Sequence, residues 1–359
     1  MLLYIPARER TQAGPFGPAQ VAEEESRLST GNRPRVVVTA PLADDLMILL
    51  RDAFDLDPMP PGAAKDPAAV ASALAVADGF LLSQALPVGA DLLDGCARLR
   101  VISKVGVGYD KIDVAAATAR NILVCNTPGV LSGAVADHTF ALLLALTRRL
   151  RENEAHVRTG AWDRGAGLLG HDIRGRILGI IGLGGIGRTV ARTARGFEMD
   201  VIYYKRSRDT EAETSGLASF RDRDDVFREA DVVSVHCALT PETRRSIGER
   251  EFRLMKPSSY FVNMSRGAVV DQAALARALE SGVIAGAALD VTDPEPLDST
   301  DPLCALPNVV LTPHIASGTV ETRRAMHELA VHNLIQAMAG EIPKGAINPQ
   351  ALRAAQARS

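Results

Sequence analysis

From Ile177 to Gly187 the chain reads Ile-Leu-Gly-Ile-Ile-Gly-Leu-Gly-Gly-Ile-Gly, an apolar, strand-like run that turns into a helical stretch from Ile186 to about Gly196. No other feature constrains the fold as much. The spacing G-x-G-x-x-G by itself is weak and equally fits a plain glycine-rich turn. With a strand before it and a helix after it, the spacing has a mechanism. Gly182 makes the tight turn out of the strand, Gly184 lets the backbone approach a pyrophosphate, and Gly187 lets the helix pack closely on the sheet. Gly185 and Ile186 open the helix, whose free N–H groups and dipole favour a phosphate. The segment predicts a dinucleotide-binding βαβ unit.

The surroundings fit such a unit. A chain of 359 residues exceeds one compact core, so two domains are expected. Short β-rich runs at Val36–Val38, Phe80–Leu82, Val101–Ile102 and Ile122–Val124 alternate with helical stretches. A second series follows at Ile177–Ile181, Val201–Tyr204, Val232–Val235, Tyr260–Val262, Ala285–Leu289 and Val309–Leu311. Continuous apolar strands separated by helices read as parallel sheets covered on both faces, an α/β fold. The second series matches a full doubly wound, Rossmann-type sheet. A helix is expected from about Ser132 to Leu150, apolar all round through Phe140–Leu146 and closed by Arg148, Arg149 and Arg151, cations that suit a helix C-terminus. A last amphipathic helix is expected over roughly Val320–Ala339.

Composition excludes several classes. The net charge is −3, with no clustered basic excess, so no nucleic acid partner is expected. The apolar runs are too short for a bilayer, so no membrane partner is expected either. Cys96, Cys125, Cys237 and Cys304 lie far apart without a CxxC pair. That argues against a zinc knuckle or a disulfide framework. No metal is expected, and a cytoplasmic chain with free thiols is the simple reading. The polar segment up to about Arg33 lacks the features of a signal peptide and reads as a flexible extension.

The end of the second strand bears on the cofactor. An NAD site usually carries Asp or Glu there for the ribose hydroxyls. This chain has Tyr204-Lys205-Arg206-Ser207-Arg208. Lys205 and Arg206, with the Ser207 hydroxyl, favour the 2′-phosphate of NADP(H), with NAD(H) still possible. The other reading is a solvated loop.

Hydride transfer to a keto acid needs a carboxylate anchor, a polariser for the carbonyl and a proton for the developing alkoxide. Three segments that follow strands offer these groups: Val262–Gly267 with Arg266, Ala288–Pro296 with Glu295, and Leu311–Gly318 with His314. Ligands bind at that edge in open α/β sheets. Arg266 can fork onto a carboxylate and carbonyl oxygen. His314 suits a general acid, and Glu295 beside it favours the protonated imidazole. Taken singly, each is as readily a surface or structural group.

The segments Gly106–Asp113, Ile181–Gly187, Asn263–Asp271, Ala287–Pro296 and Leu311–Gly318 stand in one order along about Arg35–Asn348. In these the chain resembles the D-isomer-specific 2-hydroxyacid dehydrogenases. The resemblance implies catalysis by Arg266, Glu295 and His314, and backbone amides near Val107 and Gly108 that hold the substrate carboxylate. It implies Asp290 at the nicotinamide carboxamide and the His236-Cys237 backbone along the cofactor ribose. By its position at a strand end, His236 itself reads as a partly buried structural residue. The implied architecture is a cofactor domain over 128–318 and a smaller, discontinuous, flavodoxin-like substrate domain over 34–127 and 319–348. The C-terminal helix completes the smaller domain, 349–359 form a tail, and the active site lies in the cleft. A homodimer is implied too, with the Ala134–Leu146 helix and the segment around Trp162 at the interface. Ordinary core packing explains that helix equally well.

Within the family, Val107–Asp110, Asn126–Leu131 and Tyr204–Arg208 resemble the glyoxylate and hydroxypyruvate reductases, which implies a small 2-keto or 2-hydroxy acid as substrate. The alternative is 3-phosphoglycerate dehydrogenase. Ser83 takes a substrate-side place where that branch often carries Arg, although Lys104 could substitute. Asp137 and Thr292 depart from the family pattern, where Glu and an aromatic are more usual. A cofactor-sensing corepressor-like protein is the reading from another class, since a fold alone does not fix function.

Overall fold

The structure is a computed structural model that describes residues 33–39, 41–60, 62–83, 86–162 and 168–352. The expected extension up to residue 32, Gln84 and the tail beyond Leu352 lie outside the described residues. The chain divides into two units, Met1–Pro128 with Arg324–Ser359, and Gly129–Arg323.

The first unit is built on β1 (Arg35–Val38), β2 (Asp55–Pro58), β3 (Gly79–Leu82), β4 (Val101–Lys104) and β5 (Leu123–Cys125). All pair in parallel in the order β2-β1-β3-β4-β5, the flavodoxin-type order. Every residue of β3 and β5 is buried, as continuous apolar runs require when helices cover both faces. Val37, Phe80, Leu82, Ile102 and Val124 share one core cluster, each worth about 1.5–3 kcal/mol when fully buried. β2 escapes a sequence reading because Asp-Leu-Asp-Pro carries strand-poor residues. It is an edge strand, where Pro is tolerated, and Arg35 Nη2 holds Asp57 at 2.7 Å.

The C-terminal chain closes this unit. Its helix Val320–Met338 is buried along its second half. Ser103 Oγ donates to the Ala330 carbonyl at 2.7 Å, and Asn333 Nδ2 to the Asn126 carbonyl at 2.8 Å. Asn348 then caps β5, accepting from Val124 N at 2.7 Å.

The second unit holds β6 (Ile177–Ile181), β7 (Asp200–Tyr204), β8 (Ser219–Phe220), β9 (Val232–Val235), β10 (Tyr260–Asn263), β11 (Gly286–Leu289) and β12 (Val309–Leu311). They form one seven-stranded parallel sheet, β12-β11-β10-β9-β6-β7-β8. This is the doubly wound order with one strand added beyond β11. β8 has two residues at the edge, too few for a periodic signal. The strand order reverses between β6 and β9, which makes the crevice where ligands bind in such sheets.

One expected helix is two. The first runs Ser132–Thr147 and the second Leu150–Arg158, separated at Arg149, whose φ is +52°. The Thr147 carbonyl is taken by His171 N at 2.8 Å, which gives the first helix an end. Arg151 is therefore not a C-terminal cation of that helix, and its Nη1 donates to the Val309 carbonyl at 2.6 Å. The Ser132–Thr147 helix is largely buried, with Phe140 stacked on Phe197 at 4.7 Å between centroids.

Candidate active site

The glycine turn sits at the carboxyl end of β6, at the point of strand reversal. Gly182 has φ +101°, and a Cβ there would lie 2.6 Å from Cys237 N. Only glycine lets the β6 turn pass the end of β9 so closely. A Cβ on Gly187 would meet the Gly182 carbonyl oxygen at 2.4 Å, whereas at Gly184 nothing lies within 4 Å. Open space thus remains above Gly184. The helix Gly185–Ala194 begins there without a side-chain cap, so Gly185 and the half-buried Ile186 open it with amides that no side chain of the cap satisfies. Exposed backbone and a helix start without a side-chain cap fit a pyrophosphate.

His236 and Cys237 follow β9. The His236 ring is bonded through Nε2 to Ser234 Oγ at 2.8 Å, and its burial pushes the pKa down to about 4. Burial also pushes the Cys237 thiol up. A Cβ on Gly182 would meet both Cys237 N and Cys237 Cα, so the backbone at Cys237 faces the turn.

After β7, Lys205 is half-buried and Arg206 and Ser207 are exposed. Lys205 Nζ lies 3.4 Å from Asp209, whose carboxylate also receives Arg188 Nη2 at 2.7 Å and Ala212 N at 3.1 Å. Burial works to raise the Asp209 pKa, but the Ala212 amide, Arg188 and Lys205 outweigh it and hold the carboxyl below its usual range. An ionised, buried Asp209 thus fixes two cations beside the loop.

Arg266, Glu295 and His314 occupy loops after β10, β11 and β12. Asn263 shapes the first loop, its Oδ1 accepting from Ser265 N and its Nδ2 donating to the Arg266 carbonyl, both at 3.0 Å. Gly267 packs so tightly on the second loop that a Cβ would meet Thr292 at 2.0 Å. Arg266 is half-buried, and its Nη1 donates to the Ser265 carbonyl at 2.8 Å. His314 Nδ1 lies 3.0 Å from Glu295 Oε2, with the two side chains 48% and 39% exposed and so accessible. Burial tends to raise the Glu295 pKa, yet the hydrogen bond and charge of His314, the Thr292 amide and Arg266 together hold it below the ordinary value. Thr292 contributes that amide, and its hydroxyl donates to the Pro294 carbonyl at 2.9 Å.

Asp290 is 2% exposed. Its Oδ1 accepts from Thr312 Oγ1 at 2.7 Å and Ile315 N at 2.8 Å, and its Oδ2 from Ala316 N at 2.8 Å. The His314 amide meanwhile donates to the Asp290 carbonyl at 2.8 Å, with φ +55° at His314. Asp290 thereby holds the turn that presents the imidazole. A left-handed φ at a non-glycine residue costs on the order of 1 kcal/mol, and these bonds offset it.

In the first unit, Val107 and Gly108 are half-buried on the loop after β4. Ser83 follows β3, its amide donating to Thr39 Oγ1 at 3.1 Å. Lys104 Nζ donates to the carbonyls of Ser83 at 3.0 Å and Val105 at 2.8 Å.

Sequence reasoning missed Arg188 and the pair His138 and Thr312. Arg188 directly follows the last glycine of the motif, a place where a cation could have been weighed. His138 Nε2 lies 3.0 Å from Thr312 Oγ1 and 3.5 Å from Asp290 Oδ1. No local signal joins a mid-helix histidine to a strand end 174 residues later.

A dinucleotide turn at the reversal point of a parallel sheet, with an arginine and a His–Glu pair on later strand ends, defines a nicotinamide-dependent oxidoreductase. Residues 140–316 match the family described as D-isomer specific 2-hydroxyacid dehydrogenase, NAD binding domain. The chain is 40% identical over 326 residues to the glyoxylate reductase of Thermococcus litoralis, covering 89% of this chain and 98% of that protein. It is 41% identical over 321 residues to the glyoxylate/hydroxypyruvate reductase B of Citrobacter koseri, covering 89% and 99%. Among solved structures, it resembles an NADPH-dependent glyoxylate/hydroxypyruvate reductase from Sinorhizobium meliloti, in complex with NADP and malonate. That match has a TM-score of 0.80 at 33% identity and covers 89% of this chain and 98% of that one. The chain belongs to the D-isomer-specific 2-hydroxyacid dehydrogenase family.

Proposed function

We propose that the protein reduces a small 2-keto acid, glyoxylate or hydroxypyruvate, to the D-2-hydroxy acid with NADPH. The observation that carries this reading is the His314–Glu295 pair at 3.0 Å on the strand ends of the cofactor sheet. Reduced nicotinamide supplies the hydride. Arg266 forks onto the substrate carboxylate and carbonyl oxygen, which it polarises. His314 gives its proton to that oxygen, and Glu295 stabilises the imidazolium before transfer. The Val107 and Gly108 amides hold the substrate carboxylate. Residues 34–127 and 319–348 act as the substrate domain and 128–318 as the cofactor domain.

Gly182, Gly184, Gly185, Ile186 and Gly187 hold the pyrophosphate, Asp290 meets the carboxamide, and the His236-Cys237 backbone lines a ribose. Lys205, Arg206 and Ser207 take the 2′-phosphate. The support for NADPH over NADH is the cation pair where an acid would otherwise hold the ribose. A 3-phospho substrate is disfavoured because Ser83 brings no charge and Lys104 donates to two carbonyls.

The enzyme acts as a cytoplasmic homodimer. Leu150, Val157, Trp162 and Leu169 are each more than half exposed, apolar side chains that suit burial by a second copy. The four cysteines are free, and no described helix is long and apolar enough to cross a membrane.

Initial rates with NADPH and NADH against glyoxylate, hydroxypyruvate, pyruvate and 3-phosphohydroxypyruvate test the reading. The expected result is fastest NADPH oxidation with the first two acids. Cofactor binding without turnover on any of them would favour the ligand-sensing alternative. Preference for the phosphorylated acid would move the protein to the other branch.

A further inference from the structure

The segment Asn126-Thr127 follows β5 and has no part in the chemistry above, yet it exchanges hydrogen bonds with the loop Val105–Gly108. Thr127 is fully buried. Gly106 N donates to Thr127 Oγ1 at 3.0 Å, and Thr127 N donates back to the Gly106 carbonyl at 3.1 Å. Asn126 Nδ2 donates to the Val107 carbonyl at 2.8 Å.

In a trans peptide the C=O of one residue and the N–H of the next point in opposite directions within one plane. The Gly106 carbonyl is held by Thr127, so the Val107 amide is directed away from Thr127. The Val107 carbonyl is held by Asn126, so the Gly108 amide is directed away from Asn126. The plane before them obeys the same rule, since the Gly106 amide goes to Thr127 and the Val105 carbonyl receives Lys104 Nζ at 2.8 Å. Two successive peptide planes are thereby aimed by two adjacent residues.

Those residues are themselves fixed from the C-terminal chain. Asn126 N donates to the Gly345 carbonyl at 2.9 Å, and Asn333 Nδ2 donates to the Asn126 carbonyl at 2.8 Å. A Cβ on Gly345 would lie 2.2 Å from the Asn126 carbonyl oxygen, so the two strands of chain meet without slack.

We infer that Asn126 and Thr127 are positioning residues that aim the Val107 and Gly108 amides at the substrate carboxylate. This rests on the proposed role of those two amides. Hydrogen bonds to a charged acceptor depend steeply on direction. A mis-aimed amide therefore loses carboxylate affinity, while His314 and the cofactor site are untouched.

The test is steady-state kinetics with the 2-keto acid, and inhibition by oxamate as a carboxylate-bearing mimic. Asn126→Ala, which frees the Val107 carbonyl, is expected to raise KM and the oxamate inhibition constant about tenfold, the worth of one hydrogen bond to a charged group. Thr127→Val keeps its own N–H on the Gly106 carbonyl, frees only the Gly106 amide in the plane before it, and is expected to raise both about threefold. The kcat is expected to stay within about threefold, and Thr127→Ser, which keeps the hydroxyl, to restore both constants. If Asn126→Ala fails to fold, Asn126→Asp keeps the size, removes the donor and reads the same interaction, and if Thr127→Val fails to fold, Thr127→Ala removes the same hydroxyl. Unchanged KM and inhibition constants, a fall confined to kcat, or no rescue by Thr127→Ser would each overturn the inference. Gly106→Ala separates it from the reading beneath it, because φ +124° at Gly106 admits no other side chain without moving the loop. If Gly106→Ala raises both constants and the pair variants do not, the inference alone fails. If Gly106→Ala also changes neither constant, the loop does not hold the carboxylate and both fail.

Discussion

Glu295 Oε2 lies 3.0 Å from His314 Nδ1, which leaves Nε2 as the ring nitrogen turned away from the carboxylate. A carboxylate at Nδ1 fixes the ring and places the transferable proton on Nε2. The backbone reinforces this, since Asp290 holds the turn at residues 314–316 from both of its carboxylate oxygens.

Replacing His314 by Ala removes the proposed proton donor and leaves the glycine turn after β6 in place. Turnover is expected to fall about 10²–10⁴-fold, the usual worth of a positioned acid. Cofactor affinity, read by fluorescence titration, should stay nearly unchanged. Turnover that survives within a few-fold would assign the proton to another group.

Glu295→Gln keeps the shape and removes the charge. The carboxyl of Glu295 is held below its usual range, so it is ionised across the neutral region and stabilises a positive imidazole. Turnover is expected to fall about tenfold to a hundredfold, since the ring loses the carboxylate that orients it and stabilises its positive form. A rate equal to that of the wild type would remove Glu295 from the account.

Cofactor choice is expected to follow the loop after β7. Lys205→Asp combined with Arg206→Ala should weaken NADPH about tenfold to a hundredfold, the loss of one or two charged hydrogen bonds. NADH, lacking the 2′-phosphate, should suffer much less. The ratio of kcat/KM for the two cofactors reports the result, and an unchanged ratio would make these cations ordinary surface charge.

His236 gives a stability signature. Its folded pKa is lowered from 6.5 to about 4 by burial. The unfolded chain therefore binds a proton first as the medium turns acid, and stability is lost as pH falls from about 6.5 towards 4. The loss amounts to roughly 3 kcal/mol at most. Denaturant unfolding at pH 7 and pH 5 should show a smaller difference for His236→Asn than for the wild type. Equal differences would mean that the ring takes up its proton without cost.

The parallel architecture was legible because strands such as β3 and β9 are continuous apolar runs, and the glycine turn was legible because each glycine answers a local need. Arg266, Glu295 and His314 were legible as groups on strand ends. Their mutual geometry was not, since it depends on Gly267 packing against Thr292 and on Asp290 holding a turn 24 to 26 residues further on. Edge strands β2 and β8 were missed for lack of apolar content or length. The break at Arg149 was missed because the sequence there stays helix-compatible, while the partner that ends the helix, His171, is distant. Asn126 and Thr127 stood out only as part of a resemblance, and their bonds to Gly106 and Val107 close in space rather than along the chain.

The most direct measurement follows the hydride itself. NADPH carrying deuterium at the transferred C4 position is mixed with enzyme and hydroxypyruvate, and the product is examined by mass spectrometry and chiral separation. The expected result is D-glycerate with one deuterium at C2, its formation slowed by the isotope and nearly abolished in His314→Ala. Product without deuterium at C2, product of L configuration, or no product at all would contradict hydride transfer at this site.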